Sequence, residues 1–216
     1  VKEIVVQPIE PPLDCDLVFS SLPSSVARET EEAFARAGYP VISNSSSFRM
    51  DEDVPLLIPE INPDHLGLID SQRVKRGFGK GFIVTNPNCS TVVLSVVLAA
   101  LRTFGLSRVM VTTLQAVSGA GYPGVPSLDI MDNVVPNVGN GGEEEKVEWE
   151  PRKMLGKFND GKINMADIQF SVHTNRVAVI DGHTVCASVQ LDKSVEPEVA
   201  IQALRDYAAK PSAREL

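Results

Sequence analysis

Short apolar runs alternate with amphipathic stretches in the first part of the chain, and longer strand-like runs take over in the second. "DLVFSSLPSSVARETEEAFARAGYPVISN" sets the pattern. It has an apolar run at 17–19, a Ser-rich turn, helical spacing from about Ser25 to Ala37, a Gly-Tyr-Pro stop, and a second apolar run at Val41 and Ile42. This is a β-α-β unit. "VPLLIPEIN" and "GFIVTNPN" add two further strand-like runs, each closed by Pro and Asn. Strands alternating with helices of this length predict a mostly parallel α/β sheet with helices on both faces and ligands at the carboxyl ends of its strands.

Beyond Cys89 the pattern changes. A long apolar helix is predicted from Ser90 to about Thr103, then a strand over "SRVMVTTLQAV", a Gly/Pro loop "SGAGYPGVPS", and an acidic helix over "GGEEEKVEWEPRKML". "QFSVHTNRVAVIDGHTVCASVQL" reads as two strands with a turn at Asp181-Gly182, followed by a helix from about Glu196 to Ala208. Grouped strands of this kind predict an α+β domain with a largely antiparallel sheet. The expected division is residues 1–88 and 89–216, with no internal repeat.

Composition narrows the function classes. The chain has 216 residues, 43% of them hydrophobic, enough to bury a proper core. A formal net charge of −8 without a Lys/Arg cluster argues against nucleic acid as a partner. No apolar stretch approaches the roughly 18 residues of a membrane span. Three widely spaced cysteines without a CxxC pair suit a reducing, cytoplasmic setting. Because the chain starts at Val1 and runs almost at once into the middle of an α/β pattern, it reads as a fragment.

Cys15 and Cys186 lie in apolar runs and read as small buried hydrophobes. Cys89, in "TNPNCSTVVLSVV", is open to two readings: packing or reaction. It falls where a strand ends and a helix begins, and a thiol at a helix N-terminus can have its pKa lowered from about 8.5 to roughly 3.5–7.5. Asn88 offers an amide donor for an oxyanion at the attacked carbon. A thiolate that forms covalent intermediates also needs a proton-transfer partner. Of the three histidines, His65 reads as a surface residue, while His173 and His183 flank Arg176. His183 follows the Asp181-Gly182 turn and is the chosen acid/base.

"NPNCST", "LQAVSGAG", "EEEKVEW" and "NRVAVIDGHT" occur in that order, and the series resembles the aspartate-β-semialdehyde dehydrogenase family, especially its archaeal and fungal branch. The likeness runs from about Asp16 to Ala208. It implies a Rossmann-like NADP-binding part, then a catalytic and dimerisation domain, in a homodimer or homotetramer that serves lysine, threonine and methionine biosynthesis. It implies Cys89 as nucleophile, Gln115 as an orienting group, and His183 as general acid/base. Arg176 would hold the substrate carboxylate, Glu143 the ammonium, and Lys146 and Arg49 the phosphate. Ser20, Ser21, Asn44, Ser118 and Gly119 would line the NADP site.

Blander readings exist for several of these residues. "EEEKVEWE" also fits a solvated helix face with i,i+4 pairs, Arg49 a surface arginine, and Arg176 one half of a structural ion pair. The sequence departs from the family in lacking the Gly-rich pyrophosphate loop and the family's last segment, and "FNDGKINMADI" reads as a loop difference. Two alternatives stay open: a malonyl-CoA or acetylglutamyl-phosphate reductase with the same Cys/His pair, and a non-catalytic binding or assembly module.

Overall fold

The computed structural model describes residues 5–207. In chain order the elements are β1 (Val18–Ser20), α1 (Ser24–Arg36), β2 (Pro40–Ser43), α2 (Leu68–Arg76), β3 (Phe82–Thr85), α3 (Cys89–Leu101), β4 (Leu106–Gln115) and α4 (Ser127–Ile130). There follow β5 (Val134–Pro136), α5 (Gly142–Met154), β6 (Lys157–Asn159), β7 (Lys162–Asn164), β8 (Gln169–Val177), β9 (Thr184–Leu191) and α6 (Pro197–Asp206). The expected end of α6, Ala208, lies outside the described residues. Contacts divide the chain into two units, the first made of 5–57, 64–87 and 158–163, the second of 58–63, 88–157 and 164–207.

In the first unit β1, β2 and β3 form a parallel sheet in that order, with Val41 opposite both Val18 and Ile83. Phe34 and Ala35 of α1 pack with Val41, Phe48, Val54, Phe78 and Ile83. Buried Gln72 fastens α2 to β3: its amide donates to the carbonyls of Asp53 and Ile83, and its Oε1 accepts from the Ile83 N–H. "VPLLIPEIN" does not become a strand. Only Leu56 makes a parallel bridge, to Thr85, because Pro55 and Pro59 have no N–H to extend the ladder.

A charged cluster closes this unit. Asp51 binds Arg28 at 2.8 Å and Arg76 at 2.7 Å, and Asp53 holds Arg76 at 2.5 Å. Both guanidinium groups lie over the Phe48 ring, 4.4 and 5.2 Å from its centroid. "FNDGKIN" forms the two-stranded ribbon β6-β7, with Asp160 and Gly161 at φ of 47° and 76°, the conformation of an Asp-Gly hairpin turn.

The second unit holds a four-stranded sheet in the order β5-β8-β4-β9. β5–β8 and β4–β9 are antiparallel and β4–β8 is parallel, so the sheet is mixed. β8 and β9 are therefore not a hairpin: β4 lies between them. One face packs on α3 and α5 through Leu94, Leu98, Val109, Val111, Val147, Ile168 and Val172. Arg108, Met110, Thr112, Ser171, His173 and Cys186 are exposed.

Three further sequence expectations are corrected. Cys186 is exposed because it sits opposite exposed Thr112 on the outward sheet face, and Cys15, in the irregular segment before β1, is exposed too. His65, in a 3-10 turn, is fully buried.

Candidate active site

The N-terminus of α3 is built by one residue. Asn88 is the cap, and its Oδ1 accepts from the N–H groups of Ser90 at 3.0 Å and Thr91 at 3.4 Å, which places Cys89 at the first, exposed position of the helix. Its side-chain amide donates to Glu143 Oε2 at 2.7 Å, so a carboxylate already occupies the donor expected to face an oxyanion. Lys146 Nζ donates to Glu143 Oε1 at 2.8 Å. The Asn88 backbone N–H donates to Glu150 Oε2 at 2.7 Å, and that glutamate is 2% exposed. The acidic helix α5 is thus more than a solvated face: it supports the cap from two positions.

A second group gathers where β4 and β8 end and β9 begins. Gln115 stands opposite Arg176 in the β4–β8 register, and both are buried. The Gln115 amide donates to Thr113 Oγ1 at 3.3 Å. Arg176 Nη1 donates to the Ala116 carbonyl at 2.7 Å, and the Ala116 N–H donates to His183 Nδ1 at 3.0 Å. Burial first, then the Arg176 charge, lowers the His183 pKa below 6.5 against an opposing pull from Glu143. That electrostatic coupling links the two groups of residues. Gly119 closes over them: a Cβ there would lie 2.7 Å from His183 Cε1 and 3.0 Å from Arg176 Nη1. Its need for glycine comes from this close approach. The backbone N–H of exposed Ser118 donates to the Ile180 carbonyl.

Glu144 ties α5 to β8. It accepts from the Thr174 N–H at 3.0 Å and hydroxyl at 2.5 Å. Burial raises its pKa, but these hydrogen bonds outweigh burial and the net shift is downward. The supporting roles of Glu144, Glu150 and the Ala116 peptide were not read from the sequence. Of the three, the Glu-rich run carried the only local signal.

In the first unit, exposed Ser21 and Asn44 meet at the carboxyl ends of β1 and β2, where Asn44 Nδ2 donates to Ser21 Oγ at 3.1 Å. Asn86 Nδ2 donates to Asn44 Oδ1 at 3.2 Å. Ser20 is turned inward instead: its hydroxyl and that of Ser43 both donate to buried Glu31, at 2.5 and 2.7 Å. Arg49 is 8% exposed and its Nη2 donates to the Asn44 carbonyl at 2.8 Å, so it is not a loose surface arginine.

Comparison with known proteins fits this frame. Residues 98–214 match the family model described as "Semialdehyde dehydrogenase, dimerisation domain", and residues 1–69 match "Semialdehyde dehydrogenase, NAD binding domain". The chain belongs to the semialdehyde dehydrogenase family. The aspartate-semialdehyde dehydrogenase of Archaeoglobus fulgidus is 56% identical over 200 residues, 92% of this chain and 57% of that protein. The crystal structure of the Candida albicans aspartate semialdehyde dehydrogenase with NADP superposes with a TM-score of 0.83 at 40% identity, over 95% of this chain and 60% of that one. Aspartate semialdehyde dehydrogenase II from Vibrio cholerae, complexed with ASA, gives 0.72 at 28% identity, over 88% and 60%. The chain spans less than two thirds of the length of each of these relatives.

Proposed function

We propose that this chain carries the chemistry of an NADP-dependent aspartate-semialdehyde dehydrogenase, which reduces aspartyl-4-phosphate to aspartate-4-semialdehyde. The observation that carries the reading is Arg176. Its guanidinium is 6% exposed, bonds to a backbone carbonyl, and has no carboxylate partner among the described residues. A buried cation without an anion is costly, and a substrate carboxylate would offset that cost through two parallel hydrogen bonds. The register beside Gln115 and the shared Ala116 peptide set this arginine next to His183.

Cys89, at an exposed helix start, supplies the thiolate. Its sulfur bonds to the acyl carbon, the C–O bond to phosphate breaks, and a thioester on Cys89 plus inorganic phosphate remain. Lys146 and Arg49 are the cations assigned to the phosphate, and Glu143 is the anion assigned to the substrate ammonium. His183 serves the acyl oxygen as its negative charge develops. NADP, bound in its reduced form, would supply the hydride that this reduction needs. Release of the aldehyde restores the Cys89 thiolate.

The cofactor fits the side chains of the first unit in kind. Ser21, Asn44 and Asn86 are neutral donors and acceptors at the carboxyl ends of parallel strands, the usual ligand position in α/β sheets. Ser20 holds buried Glu31 at the same strand end, and Ser118 and Gly119 are assigned to the cofactor by resemblance alone. A homodimer joined through the exposed face around Met110, Thr112 and Cys186 is the proposed assembly, supported by the dimerisation-domain match. The need for a free thiol at Cys89 supports a reducing, cytoplasmic setting.

The relatives reported above share one activity name, which favours this substrate over a coenzyme A thioester or a non-catalytic role. The test is phosphate-dependent oxidation of aspartate semialdehyde by the product of the complete gene. Turnover that vanishes in Cys89→Ala supports the reading; a better rate with a coenzyme A thioester, or an active Cys89→Ala enzyme, overturns it.

A further inference from the structure

The Ala116 peptide is bonded on both sides to residues of the candidate site. Its N–H donates to His183 Nδ1 at 3.0 Å, and its carbonyl accepts from Arg176 Nη1 at 2.7 Å. A ring nitrogen that accepts a hydrogen bond carries no proton, so the neutral imidazole must hold its proton on Nε2. Nε2 lies on the ring edge against which Gly119 packs, 2.9 Å from where a Cβ would stand, so only a glycine leaves room beside it.

We propose that Ala116 is a positioning residue whose peptide locks His183 in the Nε2-protonated tautomer, so that the imidazole meets the acyl oxygen as a hydrogen-bond donor. The inference rests on the reading above, in which His183 serves the reacting carbonyl. It also agrees with the proton balance of that reaction. Cys89 enters and leaves as a thiolate, and the proton taken up overall ends on the departing phosphate. No net proton is required of His183. The acyl oxygen takes a hydrogen bond from Nε2–H while it is anionic and returns to a carbonyl on collapse. A second proton on the ring could enter only at Nδ1, after the Ala116 bond opens. Burial and Arg176 on β8 oppose that proton, whereas Glu143 on α5 favours it.

Histidine-selective ¹⁵N labelling of this 216-residue chain allows a direct test, because long-range ¹H–¹⁵N correlation spectra distinguish the two tautomers. The His183 signals are assigned by their loss in His183→Gln. A single Nε2–H tautomer at neutral pH is expected; an Nδ1–H form or an even mixture overturns the proposal.

Ala116→Pro removes the N–H at a residue whose φ of −65° already suits proline, and Gln115 before it is in a strand. In that variant, with its circular dichroism unchanged, an Nδ1–H population should emerge; an unaltered tautomer would overturn the role of Ala116. Should the variant fail to fold, the unsubstituted spectrum still decides. A glutamine side chain can accept from Ala116 and donate outward, so His183→Gln should retain kcat within about tenfold, whereas His183→Ala should lose about a hundredfold or more. Equal losses would eliminate the donor role. A locked tautomer beside an active Cys89→Ala enzyme would overturn the proposed function and leave the tautomer assignment standing.

Discussion

Each unit holds a cluster of partly buried charges, and the two are finished differently. Around Phe48 every charge is matched: Arg28 and Arg76 share Asp51, and Arg76 also binds Asp53. Desolvation raises the carboxyl pKa values there, but the guanidinium hydrogen bonds outweigh it and leave both lowered. Around Ala116 the arginine's hydrogen bond is to a carbonyl, with no carboxylate partner among the described residues, and burial together with that arginine holds His183 toward neutrality. A closed network has nothing left to offer a ligand. An open one keeps a cation and a ring edge in reserve, and the fold must tolerate the cost.

Substitutions can break this contrast or sharpen it. The largest effect is expected at Cys89, where Cys89→Ala should leave no measurable turnover while the thermal transition of the chain is unchanged. Arg176→Leu comes next. Removing one partner of a buried charge pair costs about 2–5 kcal/mol, so kcat/KM for aspartate semialdehyde should fall roughly 30- to several thousand-fold. If Arg176→Leu alters stability and not kcat/KM, the open cluster is structural as well.

Arg76→Leu should reverse that profile. It takes from Asp53, whose side chain is only 5% exposed, its close cation and leaves Lys75 at 3.9 Å, while Asp51 keeps Arg28; it should destabilise the first unit by about 2–3 kcal/mol in chemical denaturation, allowing for partial exposure. Gly119→Ala is expected to be milder, since the new Cβ displaces His183 and Arg176 by fractions of an ångström to about 1 Å. Steady-state kinetics should show kcat down roughly ten- to a hundredfold with an unaltered unfolding curve.

The smallest effects come from pH. Asp51 and Asp53 have folded pKa values below the ordinary 3.8, so their stabilisation is present above 3.8 and is lost as pH falls through the folded values. The folded His183 pKa lies below 6.5, so that contribution is also present above 6.5 and declines as pH falls from there. Acid unfolding should therefore show a smaller step below pH 3.8 in Arg76→Leu, where Asp51 keeps Arg28, and should lose its slope below 6.5 in His183→Gln.

What the sequence revealed was local. The helices α1 and α3 follow from apolar spacing and α5 from its acidic run, whereas Asn88, read as an oxyanion donor, proves to be the cap of α3. Long-range pairing was not legible. The run holding β8 and β9 looks like a hairpin until β4 is seen between them. Pro55 and Pro59 reduced an apolar run to one bridge. The Asp160-Gly161 turn was a readable hairpin signal that the surrounding polar residues disguised as loop. Within the site, the Glu150 bond to Asn88 spans 62 residues, and Ala116 contributes through its peptide alone. No side-chain pattern announces a backbone donor. The exposure of Cys15 and Cys186, and the burial of His65, likewise depend on tertiary neighbours that composition does not specify.

The small ribbon β6-β7 has a consequence for inheritance. Its residues 158–163 belong to the first unit although 70 residues of the second precede them from Asn88 onward. The Gly161 backbone sits against Ser71 so closely that a Cβ would lie 2.3 Å from its hydroxyl, and the Phe158 ring covers Gly67 in the same way at 2.6 Å. A gene fusion that exchanges the first 87 residues for those of a relative would pair a new Ser71 and Gly67 surface with the old ribbon. Recombination at that junction should succeed only between parents whose ribbons match. The two units are therefore expected to have evolved as one lineage, even where their chemistry could be separated.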